Sequence, residues 1–102
     1  MNRLIEEHRT ELARLCQLHR VRRLELFGSA TGTENESEIG DLDFLVEFAD
    51  LDLTEYADAY FGFLECLQDL FHKRVDLVML SAVKNPYLLE SIEKSRTVLY
   101  AA

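Results

Sequence analysis

The pattern of apolar and polar residues divides the chain into alternating helical and strand-like segments. In roughly the first twenty residues, apolar side chains recur at helical spacing with Arg and Glu between them; these are Leu4, Ile5, Leu12, Leu15 and Cys16. Three short apolar runs predict strands, namely LELF (24–27), VDLVML (75–80) and TVLY (97–100). The run DLDFLVEF (41–48) is the clearest strand, because it is apolar on both faces once its two aspartates are passed.

Two further helices are predicted by the residues at their N-termini. Asp52 and Glu55 have the Asp-x-x-Glu spacing of a helix N-cap, and the aromatic and aliphatic residues that follow fall on one helical stripe. Asn85 and Pro86 have the order of an N-cap and a first helical residue, and this helix is expected to end near Lys94. The predicted order α-β-β-α-β-α-β describes a sheet flanked by helices.

Length and charge limit the classes of protein that this chain can be. Its 102 residues, 48% of them apolar, are enough for one compact core, so 1–102 is expected to be a single domain. The formal net charge of -8 opposes wrapping of a phosphate backbone, so direct nucleic-acid binding is not expected. There is no apolar run resembling a signal peptide or a membrane span, and we expect a cytoplasmic protein with no membrane association.

Asp41 and Asp43 are two like charges, one residue apart, at the start of the clearest predicted strand. Because side chains alternate along a strand, both should point to the same face. At about 4 Å their repulsion costs about 1 kcal/mol in water and about 4 kcal/mol at an effective dielectric of about 20. A hard cation such as Mg²⁺ would relieve this repulsion. The alternative for so short a motif is a solvated strand end without an ion.

Two other features favour a metal and phosphate site. Asp76 is the second residue of VDLVML, so that strand, if adjacent, would bring a third carboxylate. Gly28 and Ser29 follow a strand, where a glycine turn can expose backbone N–H groups to an anion.

Taken together, these motifs resemble the minimal nucleotidyltransferase (MNT) domain of the DNA polymerase β-like nucleotidyltransferase superfamily. The similarity is carried by Gly28-Ser29, by Asp41-Leu42-Asp43 after eleven intervening residues, and by Arg74-Val75-Asp76-Leu77-Val78. It spans nearly the whole chain, through LELFGSA, GDLDFLVEF, KRVDLVML and NPYLLESIEKSRTVLY. The resemblance implies an α/β (α+β) fold like the palm of polymerase β, with a small mixed β-sheet flanked by helices.

The resemblance also implies roles for five residues. Gly28 and Ser29 would hold the phosphates of ATP, and Asp41 and Asp43 would carry Mg²⁺, with two ions expected. Asp76 would complete the metal site and receive the proton of the attacking hydroxyl. Two metal ions would neutralise the triphosphate and align that hydroxyl with the α-phosphate.

The loop after Gly28-Ser29 departs from the family pattern. Family members often carry a basic residue shortly after the Gly-Ser pair, whereas this chain has Ala30-Thr31-Gly32-Thr33 followed by Glu34, Glu36 and Glu38. Gly40 stands where the family usually has a serine. Lys73 and Arg74 are candidates for the missing cation, although a surface-charge role is the simpler interpretation.

Two functions agree with these residues. The resemblance to small MNT proteins implies an antitoxin that transfers AMP from ATP to a hydroxyl of its partner. That partner would be a HEPN-type ribonuclease toxin, with which a hetero-oligomer would form. The acidic surface suits a basic partner of this kind. The alternative is a catalytically weak or inactive MNT-fold antitoxin that neutralises its partner by binding alone, which the altered loop favours.

Overall fold

The computed structural model describes residues 3–32 and 39–102. Its N-terminal segment is two helices, α1 (Arg3–Glu7) and α2 (Arg9–Leu18), and the prediction of a single helix is wrong at His8. The His8 ring Nδ1 lies 2.8 Å from the carbonyl oxygen of Leu4, while the His8 backbone N–H donates to Ile5 instead. The side chain therefore takes the carbonyl that the helix ladder would otherwise use, which ends α1.

The two later helices begin where their capping residues predict. Helix α3 (Leu53–Phe71) has Asp52 as its N-cap, and the Asp52 carboxylate accepts a hydrogen bond from the Glu55 N–H at 2.8 Å. Helix α4 (Pro86–Ser95) has Asn85 as its N-cap and extends one residue beyond the predicted end. None of the helices in the described part of the chain is long and apolar enough to cross a membrane.

Four strands form one mixed sheet, as predicted. They are β1 (Val21–Phe27), β2 (Leu42–Phe48), β3 (Val75–Val78) and β4 (Thr97–Ala101). The spatial order is β3-β2-β1-β4, with β1 antiparallel to β2 and β4, and β2 parallel to β3. Strand β1 begins three residues earlier than predicted, and β3 ends two residues earlier, before a short 3₁₀ helix at Leu80–Ala82.

The two faces of the sheet are covered unequally. Helices α2 and α3 cover one face, where Phe44 of β2 is buried with Leu12 of α2 and Phe63 of α3. Helix α4 covers only part of the other face, where Ile92 packs with Phe27 and Leu45. Side chains on the α4 face that lie beyond this helix are therefore open to a ligand.

Candidate active site

A pair of carboxylates lies on the α4 face, at neighbouring positions of two parallel strands. Asp43 of β2 is in register with Asp76 of β3, and Phe27 of β1 flanks Asp43 on its other side. Asp43 is half-buried and Asp76 is exposed on the edge strand. The sheet therefore holds one carboxylate in its interior and presents the other to solvent.

The electrostatics of this pair are unfavourable without a cation. Burial, a hydrogen bond with the Asp76 carboxyl, and the charges of Asp76 and Asp41 raise the pKa of Asp43 to about 6. Asp43 therefore keeps its proton up to a higher pH than an ordinary aspartate does. A bound cation could take the place of this proton.

Asp41 precedes β2 and is exposed, so it lies just outside the strand that the sequence predicts to begin there. Its charge reaches Asp43, but in residues 3–32 and 39–102 no three His, Cys, Asp or Glu side chains form a group that could hold a metal ion. The predicted triad of Asp41, Asp43 and Asp76 is thus a close pair with a third carboxylate nearby. Mutual repulsion opposes a tighter cluster, and carboxylate oxygens are the ligands that Mg²⁺ prefers, so the donor chemistry fits this ion.

Gly28 ends β1 directly beside Asp43. Its backbone has a φ of 80°, and a Cβ atom built on it would clash with Oδ2 of Asp43. Only glycine adopts this conformation readily and leaves room for the carboxylate. The Gly28 N–H, expected to be free for an anion, donates to Oγ of Ser95 at 2.8 Å. Ser29 is exposed and begins a short 3₁₀ helix, Ser29–Gly32.

Two clefts meet at this glycine. The first has a volume of about 450 Å³ and contains Asp43 and Asp76 in an otherwise mainly apolar wall of Phe27, Tyr60, Leu64, Val75, Leu77, Val78 and Leu88. The second has a volume of about 420 Å³ and is mainly polar, lined by Ser29, Tyr87, Glu90, Lys94 and Ser95. Gly28 and Ser91 line both clefts, so the two are neighbours along α4.

The segment in front of Asp41 is fixed by the turn before β3. The ammonium group of Lys73 donates to the carbonyl oxygen of Ile39 at 3.1 Å, and the Leu42 N–H donates to the carbonyl oxygen of Arg74 at 3.0 Å. Lys73 is half-buried and makes a specific contact, rather than only contributing surface charge. The acidic loop with Glu34, Glu36 and Glu38 lies outside the described residues.

The sequence interpretation did not identify Ser95 or Lys94 as residues of this site. Both lie at the end of α4, 67 and 66 residues after Gly28, and neither belongs to a motif with a chemical signature. The only available signal was their place in the NPYLLESIEKSRTVLY segment, which carries part of the family resemblance.

Comparison with known proteins shows the family to which the chain belongs. Residues 5–99 match the nucleotidyltransferase domain family. A Methanocaldococcus jannaschii protein named "Putative protein adenylyltransferase MJ0128" is 38% identical over 80 residues, which are 78% of each chain. A second protein of that organism with a name of the same form is 32% identical over 76 residues, 74% of each chain.

Solved structures show the same fold. One described as a "putative minimal nucleotidyltransferase" superposes with a TM-score of 0.67 at 28% identity and covers 95% of both chains. A chain from a complex of a tri-AMPylated Shewanella oneidensis HEPN toxin with an MNT antitoxin gives a TM-score of 0.63 at 21% identity, over 96% of this chain and 73% of that one. A toxin–antitoxin structure with AMP-PNP gives 0.65 at 23% identity, over 92% and 73%. This chain therefore belongs to the nucleotidyltransferase domain family and is a nucleotidyltransferase of the minimal type.

Proposed function

We propose that the protein transfers AMP from ATP to a hydroxyl group of a partner protein, in a Mg²⁺-dependent reaction. The observation that carries this proposal is the Asp43–Asp76 pair, which lies in the first cleft. Asp43 is beside Gly28, where the two clefts meet and where a Cβ atom would clash with its carboxylate. The excess of negative charge at this junction suits divalent cations, and the clefts offer room for an elongated ligand on either side of it.

Asp41, Asp43 and Asp76 would hold the two Mg²⁺ ions, which would neutralise the triphosphate and align it with the acceptor. In the transfer, the bond between the acceptor oxygen and the α-phosphorus forms, and the bond from that phosphorus to pyrophosphate breaks. Asp76 would take the proton of the acceptor hydroxyl, because it is exposed on the edge strand, where a protein substrate can approach.

Gly28 and Ser29 would hold the phosphates. The absence of a side chain at Gly28 leaves the backbone open to a close approach, and the exposed hydroxyl of Ser29 can donate to a phosphate oxygen. Since Ser95 already accepts from the Gly28 N–H, the Ser29 hydroxyl is the better placed donor of the two.

The partner that we propose is a HEPN-type ribonuclease toxin, joined to this chain in a hetero-oligomer. The protein acceptor is supported by the names of the Methanocaldococcus jannaschii relatives, and the toxin by the complex of the same fold that contains an AMPylated HEPN toxin. The net charge of -8 supports a basic partner, since complementary charge accelerates association.

Neutralisation by binding alone is the second candidate function. It is favoured by the separation of Asp41 from the Asp43–Asp76 pair and by the internal hydrogen bond that occupies the Gly28 N–H. In this case the partner would be inhibited without being modified.

Incubation with ATP labelled on the α-phosphate, Mg²⁺ and a HEPN-type protein encoded beside this chain separates the two functions. We expect label on the partner, and no label when EDTA is added or when Asp43→Asn replaces the native chain. Inhibition of the partner's ribonuclease activity without any label would contradict the transfer and support the binding-only function.

A further inference from the structure

The second cleft carries a cation whose role the catalytic carboxylates do not explain. Among the described residues that line the two clefts, Lys94 is the only one with a positively charged side chain. Its ammonium group lies 2.9 Å from the carboxylate of Glu90, one helical turn away, and both side chains are largely exposed. An exposed pair of this kind contributes little to the stability of the fold, so Lys94 is available to a ligand that enters the cleft.

The backbone of Lys94 is held close to the Gly28 turn. The hydroxyl of Ser95, the next residue, accepts from the Gly28 N–H at 2.8 Å and donates to the carbonyl oxygen of Ser91 at 2.9 Å. Arg96 is bound in turn to Glu25 of β1 by two hydrogen bonds. Ser95 and Arg96, at the end of α4, are therefore held against β1 and the Gly28 turn. The Lys94 side chain extends from this fixed end into solvent and is largely exposed.

We propose that Lys94 is the cation that binds the β- and γ-phosphates of the nucleoside triphosphate, in the second cleft beside Gly28 and Ser29. This inference rests on the proposed function, because Asp43 and Asp76 mark the place of the reacting α-phosphate. The mainly apolar wall of the first cleft suits the nucleoside, so the remaining phosphates extend past Gly28 into the polar cleft. Lys94 supplies there the positive charge that the loop after Ser29 lacks.

Glu90 competes with phosphate for Lys94. Without a ligand, its carboxylate neutralises Lys94. A phosphate entering the cleft must displace this carboxylate, so Glu90 lowers the affinity for polyphosphates. Removing the Glu90 charge should therefore have the opposite effect to removing the Lys94 charge.

The test compares the affinities of the metal-loaded protein for MgATP, inorganic pyrophosphate and AMP by calorimetry. Lys94→Met should weaken binding of MgATP and pyrophosphate by about threefold to tenfold, as expected for one partly exposed charged contact, and leave AMP unchanged. Glu90→Gln should tighten both polyphosphates. Lys84→Met is the matched control, because Lys84 is exposed and lines neither cleft, and it should change none of the three affinities.

Each outcome separates this inference from the proposed function. The role of Lys94 is overturned if the native protein binds no polyphosphate or if Lys94→Met binds pyrophosphate as tightly as the native protein does. It is also overturned if Lys94→Met loses as much affinity for AMP as for MgATP. Transfer of AMP by a native protein whose Lys94→Met form has unchanged polyphosphate affinity would overturn the inference and leave the function standing. Polyphosphate binding that depends on Lys94, without any transfer of AMP, would support the inference and contradict the proposed transfer.

Discussion

Two carboxylates on the same face of the sheet, on neighbouring strands, have opposite environments. Glu25 of β1 is only 3% exposed, yet Arg96 donates two hydrogen bonds to it, at 3.1 and 2.8 Å, and Arg23 forms a further ion pair at 3.4 Å. The Arg96 hydrogen bonds, with the two guanidinium charges, outweigh burial and lower the pKa of Glu25. Asp43 of β2 faces other carboxylates instead, and burial with these like charges raises its pKa to about 6.

The difference shows which acid serves the fold and which is available for chemistry. Glu25 has its cations within the chain, so it binds β1 to the end of α4 and needs no ligand. Asp43 has no cation among the contacts of the described residues, so its charge can only be balanced from outside. The same end of α4 serves both regions, since Arg96 reaches Glu25 and Ser95 reaches the glycine beside Asp43.

The largest effect should come from replacing the acid that lacks a cation. Asp43→Asn should lower AMP transfer by at least about a hundredfold, because the charge that would hold the metal is lost. The metal-free protein should melt at the native temperature or above it, since a repelling carboxylate has been removed. Radiolabel transfer and thermal denaturation measure the two effects.

Asp69→Asn, an exposed aspartate of α3 outside both clefts, is the control for this variant. Its activity and stability should both be native. A native rate of transfer by Asp43→Asn would refute the catalytic role of this carboxylate.

Replacing Glu25, the acid that has cations within the chain, should lower the stability of the protein. Glu25→Gln should lower the free energy of unfolding by about 2 kcal/mol, because it removes the buried charge that Arg96 and Arg23 share and leaves Arg96 only its exposed partner Glu93. Glu47→Gln, on the same face of β2 with an exposed ion pair to Arg22, should change it by less than about 0.5 kcal/mol. Urea denaturation of both variants measures these two changes. Equal losses of stability would show that Glu25 contributes no more to the fold than a surface acid does.

The space beside Asp43 can be tested at Gly28. Gly28→Ala should cost about 1 to 2 kcal/mol of stability, because alanine is strained at a φ of 80° and its Cβ would displace the Asp43 carboxylate. Gly32→Ala meets nothing within 4 Å and is the control, with a change of less than about 0.5 kcal/mol. Circular-dichroism melts should show the loss of stability of Gly28→Ala, and transfer assays should show a loss of activity because the Asp43 carboxylate is displaced. A native Gly28→Ala protein would mean that this turn does not restrict the carboxylate.

The smallest effect is in pH dependence, and here the two acids should differ in sign. The folded-state pKa of Asp43 is raised from 3.8 to about 6, so its contribution to stability is present below pH 3.8 and is lost as the pH rises to about 6. The folded-state pKa of Glu25 is lowered from 4.5, so its contribution is present above pH 4.5 and is lost as the pH falls through the folded-state value. Mg²⁺ must displace the proton of Asp43, so its affinity should fall about tenfold per pH unit well below pH 6.

Stability against pH for the native, Asp43→Asn and Glu25→Gln proteins separates these effects. Asp43→Asn should remove the decline that ends near pH 6, and Glu25→Gln should remove the acid-side loss. Mg²⁺ titrations at pH 5 and pH 7 measure the affinity, and equal values would show that the metal does not compete with that proton.

The sequence determined the elements whose signals are local. The caps of α3 and α4 and the apolar strand after Asp43 depend on residues a few positions apart, and all three were predicted. The mixed sheet flanked by helices followed from motifs that carry the family resemblance. The break at His8 was missed because a side chain competing for a backbone carbonyl leaves no trace in the apolar spacing.

The site was predictable only in its residue types. Asp43 and Asp76 could be chosen from the strand pattern, but their contact depends on the parallel register of β2 and β3, which brings together residues 33 positions apart. The pairing of Glu25 with Arg96 spans 71 positions, and that of Gly28 with Ser95 spans 67. Charge alone made Glu25 and Asp43 equivalent in the sequence, and only the packing of α4 against β1 decided which of them received a cation.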